Sequence, residues 1–311
     1  MSLSLAVLAF GMLSAFGGQE LPLAPTFKAG VDLVTLSVVV NGKDGRPVTD
    51  LSRADFELFD AGQARAIADF RSEAAPVSVA VLVDASGSMR VTPKLAQART
   101  ALSQITSWLN RDTDQVALFS FDTALHELQP FASATADLAS KVDGLTPFGS
   151  TALYDAIAQT GQRLAAQGGS RRAVVVVTDG ADNRSHLSAQ EVSGISSAID
   201  VPVYVIVVAS PLDAPRSDAP VDSRSLDFHN GPLANLARWT GGSIFIASTP
   251  ADASLTARRI VTELRSQYLM TFESSAPAGW HPVVVRARDS RLVVRARSGY
   301  IAGSGADSRR E

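Results

Sequence analysis

The chain has 311 residues, 46% of them hydrophobic and 19% charged, with a formal net charge of −3 and no cysteine. That length suits one large domain, or a medium domain with a small one, in a globular protein. The near-neutral charge and the absence of any dense Lys/Arg run give nucleic acid no footing. The missing cysteines exclude disulfides, zinc–thiolate centres, cysteine nucleophiles, iron–sulfur clusters and a lipid-modified cysteine anchor.

Residues 1–18 hold a short apolar core, Leu5 to Leu13, followed by the small-x-small pattern Ala15-Phe16-Gly17. This is the pattern of a secretory signal peptide cleaved near Gly17 or Gly18, although no Lys or Arg precedes the apolar stretch. An N-terminal anchor or a buried apolar terminus is the alternative, but the stretch is short for a bilayer span. No later segment reaches that length, so no integral membrane span is expected once the signal is removed. The expected location is secreted or periplasmic, at the cell envelope.

Residues 28–75 read as an N-terminal β segment. "VDLVTLSVVV" (31–40) is dense in β-branched residues, and "NGKDG" (41–45) is turn chemistry that predicts a hairpin. "DFELFDAG" and "ARAIADF" repeat strand, turn and strand around Asp60-Ala61-Gly62.

From Val77 the rhythm becomes strand and helix in alternation, and this second unit spans 77–266. "VSVAVLVD" (77–84), "QVALFSFD" (115–122), "RRAVVVVTDG" (171–180), "VPVYVIVVAS" (201–210) and "SIFIAS" (243–248) are apolar runs of strand length, as strands buried on both faces require. Helical spacing marks 93–110, 134–145, 151–167, 188–200, 232–239 and 251–268, with Ser188 and Glu191 at the capping-box offset. Residues 211–231 are rich in Pro, Asp and Ser and read as a long surface loop. Five strands with intervening helices predict an α/β fold: a doubly wound, mostly parallel sheet with helices on both faces.

Residues 267–301 return to β pattern, with "HPVVVRARD" (281–289) and "LVVRARSGY" (292–300) joined by a turn at Asp289-Ser290-Arg291. One hairpin is not stable alone. These strands are therefore expected to pack with 28–75 into a small β domain, with the α/β unit inserted between its halves. Residues 302–311 read as a flexible tail.

Ligands of such sheets bind outside the carboxyl ends of the strands. Asp84 and Asp179 both end strands. Asp84-x-Ser86-x-Ser88 places one carboxylate and two hydroxyls at alternate positions, with Gly87 permitting a tight turn. Gly149-Ser150-Thr151 opens a helix and adds a further hydroxyl. Asp84, Ser86, Ser88, Thr151 and Asp179 together form a set of hard oxygen donors suited to Mg²⁺, with Mn²⁺ or Ca²⁺ compatible with the same atoms. Two acids leave the ion under-neutralised, so an incoming carboxylate can replace a water.

Asp-x-Ser-x-Ser, a distant Thr in the helix start "GSTALYDA" and a "TDG" strand end resemble the metal-ion-dependent adhesion site of von Willebrand factor type A domains. The match is residue by residue at Asp84, Ser86, Ser88, Thr151 and Asp179, and it spans about 77–266. The flanks "VDLVTLSVVVNGKDGRPVTDLSRADFELFDAG" and "VRARSGY" are similar to those of bacterial secreted proteins carrying this domain. The resemblance implies a Rossmann-like domain that binds a protein partner through a divalent metal, with an Asp or Glu of the partner completing the coordination.

Other residues have plainer readings. An isolated Asp-x-Ser-x-Ser is a capped turn. Asp122 reads as a solvated turn, and Asp182 and Asn183 read as loop residues, with outer-shell contacts to the site as the alternative. His126, His186, His229 and His281 are scattered, with no metalloprotease spacing. Trp239 reads as helix core and Trp280 as packing within the β domain. Arg286, Arg288, Arg295 and Arg297 read as a solvated strand face.

The function expected is that of a non-enzymatic extracytoplasmic binding module for a protein presenting Asp or Glu, with no nucleic acid. One alternative is a metal-dependent hydrolase or phosphatase. Ser86, however, stands where a second acid belongs, and no nucleophile elbow, P-loop or dinucleotide turn is present. Another is a cytoplasmic partner of an ATPase complex.

Overall fold

The computed structural model describes residues 32–91, 93–134, 138–167, 169, 171–198, 200–209 and 230–303. The expected signal peptide at 1–18, most of the expected loop at 211–231 with His229, and all but the start of the expected tail lie outside these residues.

The first flank supplies β1 (Asp32–Asn41), β2 (Phe56–Asp60), β3 (Gln63–Arg65) and β4 (Asp69–Arg71). Ala61 and Gly62, with φ of 48° and 82°, join β2 to β3, as a two-residue hairpin turn requires. The expected hairpin after β1 is only a loop closure. Asn41 bridges Pro47, and the Val48 amide donates to the Val40 carbonyl at 2.9 Å, but no strand follows.

The α/β unit contains β5 (Val77–Asp84), α1 (Lys94–Trp108), β6 (Gln115–Phe121), β7 (Leu125–Ser133), α2 (Ala139–Asp143), α3 (Leu153–Ala165), β8 (Arg171–Thr178), α4 (Ala189–Ala198), β9 (Val203–Val208), α5 (Pro232–Trp239), β10 (Ile244–Ala247) and α6 (Pro250–Arg265). Six strands form one sheet in the order β10-β9-β8-β5-β6-β7, parallel except for β7. Successive residues of β5 point to opposite faces. Val79, Val81 and Val83 pack on one face with Ala98, Leu102 and Ile105 of α1 and Ala257, Ile260 and Leu264 of α6. Ala80 and Leu82 pack on the other with Leu153, Ile157 and Leu164 of α3 and Leu236 of α5. Continuous apolar strands are the consequence of this double coverage.

β7 is a sixth strand beyond the five expected. Its sequence, LHELQPFAS, is polar and carries Pro130, which an edge strand tolerates because one side of its backbone needs no ladder partner. The helix expected over 134–145 is reduced, among described residues, to α2.

The second flank supplies β11 (Tyr268–Ser274), β12 (Gly279–Ala287), β13 (Val293–Arg295) and β14 (Gly299–Ala302). The stretch 292–300, expected as one strand, is split between two sheets. β13 pairs with β1 and β14 pairs with β12. The flanks thus interleave as two four-stranded sheets, β13-β1-β11-β4 and β14-β12-β2-β3. Leu36, Val38, Met270 and Phe272 of the first share a core with Phe56, Leu58, Val283 and Tyr300 of the second.

The four arginines do not form one solvated face. Arg286 lies over the Phe59 ring and Arg288 pairs with Glu57 at 2.8 Å, both on the surface. Arg295 pairs with the fully buried Glu263, and Arg297, itself buried, donates to the carbonyls of Ser197 and Thr35. These contacts fasten β1 and the 293–297 segment to α4 and α6. Trp239 is half-buried rather than core. Trp280, 46% exposed, lies over Gly299, where a Cβ would come within 2.4 Å of its ring.

Candidate metal centre

β5 is central in the sheet, with the chain winding away to β6 on one side and β8 on the other. The crevice at such a switch point, at the carboxyl ends of the strands, is where ligands of open α/β sheets sit. Val83 pairs with Val177, so Asp84 and the Thr178-Asp179 pair emerge side by side.

Asp84 is fully buried. Its Oδ2 accepts the Thr178 hydroxyl at 2.6 Å and its Oδ1 accepts the Ser86 amide at 2.8 Å. Burial pushes its carboxyl up to about 6, against the pull of the hydrogen bonds from Ser86 and Thr178, and nearby Asp179 adds to the rise. Ser86, also buried, places its hydroxyl 3.1 Å from that of Ser88. A short 3₁₀ turn, Gly87–Arg90, then leads towards α1.

Gly87 serves a purpose other than the one its sequence position suggests. Its φ is not left-handed. Instead its amide donates to the Gly149 carbonyl at 3.0 Å, and a Cβ there would stand 3.2 Å from that oxygen. The Phe148 amide donates to Ala85 at 2.9 Å, so the 148–151 loop is laced onto the Asp84–Ser88 loop by backbone alone. Gly149 turns that loop with a φ of 80°.

Thr151 is buried, and its backbone is held on both sides. Its amide donates to Asn183 Oδ1 at 2.9 Å, and its carbonyl accepts the amides of Asn183 and Arg184 at 3.1 and 3.0 Å. Asp182 Oδ1 accepts the Leu153 amide and the Ser185 hydroxyl at 2.9 and 2.6 Å, capping the start of α3. Asp182 and Asn183 therefore scaffold Thr151 rather than decorate a loop. Asp122 takes part through its backbone, its carbonyl accepting the Ala152 amide at 2.7 Å.

Asp179 is buried. Its Oδ2 accepts the ammonium of Lys94 at 2.9 Å, while its Oδ1 is out of solvent and has no hydrogen-bond partner among the described residues. Lys94, also buried, is the residue that sequence reasoning missed. The available signal was its place on α1 at the head of the buried series Lys94, Gln97, Ala98, Ala101.

The arrangement can hold a hard cation. A buried carboxylate oxygen without a donor is an acceptor awaiting a positive partner. The Ser86–Ser88 hydroxyl pair and the Asp84 loop lie at the same rim. The donor set is oxygen throughout, as Mg²⁺ requires. Among the described residues, no group of three or more His, Asp or Glu gathers as a metal cluster, so acids are scarce at this rim. Beside it, Phe148 is 75% exposed, and a shallow groove of about 370 Å³ is lined by Met89, Arg90, Val91, Pro93, Leu95 and Pro147.

The described histidines lie elsewhere in their bonding. His126 is 3.6 Å from Asp122, His186 bonds Asp155 at 2.9 Å, and His281 bonds the Pro277 carbonyl at 2.7 Å. No helix among the described residues is long and apolar enough to cross a membrane.

Among solved structures, the chain is similar to a von Willebrand factor type A protein from Catenulispora acidiphila, at 13% identity and a TM-score of 0.49 over 88% of this chain and 74% of that one. It is also similar to an aerotolerance-related membrane protein from Bacteroides fragilis, at 22% identity and a TM-score of 0.47 over 60% and 98%. A third likeness is to proximal thread matrix protein 1 from the mussel byssus with a zinc-occupied MIDAS motif, at 20% identity and a TM-score of 0.48 over 65% and 48%. No curated protein matches. Residues 79–181, the segment from β5 to the Asp179 loop, match the family model described as the von Willebrand factor type A domain. The likeness to the von Willebrand factor type A domain is carried by these residues, about a third of the 311-residue chain.

Proposed function

We propose that this protein is a non-enzymatic binding module of the cell exterior or envelope, which docks a partner's Asp or Glu at a divalent metal held by Asp84, Ser86, Ser88, Thr151 and Asp179. The observation that carries this reading is the solvent-free Oδ1 of Asp179, left without a donor beside a fully buried Asp84 and a hydroxyl pair. Magnesium is the ion the oxygen donors favour. When bound it supplies a positive centre that a carboxylate can ligate. The chain's own residues orient that centre. Thr178 and the Ser86 amide fix Asp84, and Asn183 fixes Thr151. The exposed Phe148 and the neighbouring groove offer apolar contact to whatever surrounds the partner's acid. The domains proposed are a signal at 1–18, a β domain from 28–75 and 267–301, the metal-binding domain at 77–266 and a tail at 302–311.

Calorimetric titration of Mg²⁺ into the wild type and Asp84→Ala tests the site, and binding is expected only in the wild type. Unchanged binding in the variant would refute the assignment. Affinity capture from the native envelope fraction, with and without EDTA, tests the partner. A phosphatase and esterase screen in Mg²⁺ tests the enzymatic alternative, where turnover lost in Asp84→Ala would overturn the binding reading.

A further inference from the structure

Lys94 has no place in the five-residue set, yet it is buried against one member of it, Asp179. Its side chain is 7% exposed, as is that of Asp179, and the two meet at 2.9 Å. Lysine is seldom buried, because removing an ammonium from water is costly unless an anion faces it. α1 places the residue deliberately. One turn on, Gln97 Nε2 donates to the carbonyls of Ser248 and Ala209, at 2.8 and 3.3 Å, and ties the start of the helix to the strand ends of β9 and β10. Lys94 is therefore held at the rim by the same helix face that anchors α1 there.

We propose that Lys94 is a built-in counter-ion of the metal site: a positioning residue that holds Asp179 in place without metal and lowers the site's affinity for a divalent cation. The inference rests on the metal-docking function proposed above. Two chemical consequences follow from the geometry. First, Asp179 presents one oxygen to the ammonium and keeps the other, Oδ1, unpartnered. An acid already oriented by the ammonium leaves less to order when a cation binds. Second, one ammonium cancels one of the two carboxylates. A divalent ion then keeps a net positive charge in a poorly hydrated place, and a partner's carboxylate is the group that neutralises it. A site with both acids unopposed would hold the ion more tightly and attract that carboxylate less.

The test uses the full chain, with Mg²⁺ as the probe. Lys94→Met keeps the stem and removes the charge, and Lys94→Gln does so with a polar end. Both variants should bind Mg²⁺ more tightly by roughly tenfold or more, as a like charge removed from a site does. Both should also melt at a lower temperature in EDTA, with a larger rise on adding Mg²⁺ than the wild type shows. A merely structural lysine would lower melting in both conditions and leave the affinity alone. Wild-type binding with unchanged or weaker affinity in both variants overturns the role of Lys94 and leaves the metal site standing. No Mg²⁺ binding by wild type or variants overturns both. If Lys94→Met does not fold, Lys94→Gln decides by the same criteria, and a circular dichroism spectrum identifies the folded one.

Discussion

The Thr178 hydroxyl donates to Asp84 Oδ2 at 2.6 Å across the join between β8 and β5. It is one of few compensations for a carboxylate with no solvent contact, and it does not fully offset burial, since the Asp84 carboxyl is held at about 6. A carboxylate whose folded pKa is raised favours the folded state below its unfolded value and loses that contribution as pH rises through the folded value. In EDTA, Asp84 therefore costs the folded chain roughly 3 kcal/mol at pH 7, none of it at pH 3 to 4. Asp84→Asn should be more stable than the wild type at pH 7 in EDTA, with the gap closing between pH 6 and 4. Urea denaturation across that range checks it, and a gap independent of pH would contradict it.

The close approach of Gly87 to Gly149 makes a second prediction. A methyl at Gly87 would press on a backbone carbonyl at 3.2 Å, which no side-chain rotation can relieve. Gly87→Ala should cost about 1 kcal/mol, in the range of mild overpacking. It should weaken Mg²⁺ binding more than stability, because the two loops it separates carry Ser86, Ser88 and Thr151. Calorimetry beside urea denaturation measures both.

Glu263 joins the two units of the fold. It is fully buried on α6 and accepts Asn41 Nδ2 of β1 and Arg259 Nε, each at 3.2 Å, together with Arg295 of β13. Glu263→Gln leaves Arg295, which is only 18% exposed, without its anion. Removing one partner of a buried pair should destabilise the chain by about 3 kcal/mol. A denaturation midpoint that does not move would show that the pair contributes nothing net.

Phe148 presents a different case, since its backbone amide donates to the Ala85 carbonyl while the residue is 75% exposed. Phe148→Ala should leave Mg²⁺ binding intact and weaken EDTA-sensitive capture of the partner severalfold, as loss of an aromatic contact in an interface does. Equal capture by wild type and variant would place the partner off this rim.

Continuous apolar runs made β5, β6, β8 and β9 legible, because a strand covered on both faces needs no polar residue. The same logic placed Asp84 and Asp179 at strand ends, where the runs stop. It failed for β7, whose exposed edge leaves no periodicity to read, and for 292–300, where alternation could not reveal that Val294 and Tyr300 serve different sheets. Among the candidate site residues, the order and spacing of Asp84, Ser86, Ser88, Thr151 and Asp179 were written in the chain. The scaffolding by Asn183 was not, since it acts through a hydrogen bond 32 residues away.

The sequence by itself therefore determined the alternation of strand and helix and which oxygen-bearing residues stand at the strand ends, because burial and turn chemistry are local. Only the tertiary structure decided that Lys94 meets Asp179 across 85 residues and that Glu263 collects ligands from both flanks. Such pairings depend on which elements become neighbours after folding. A charged residue at a helix start looks the same in the chain whether it faces water or a buried acid.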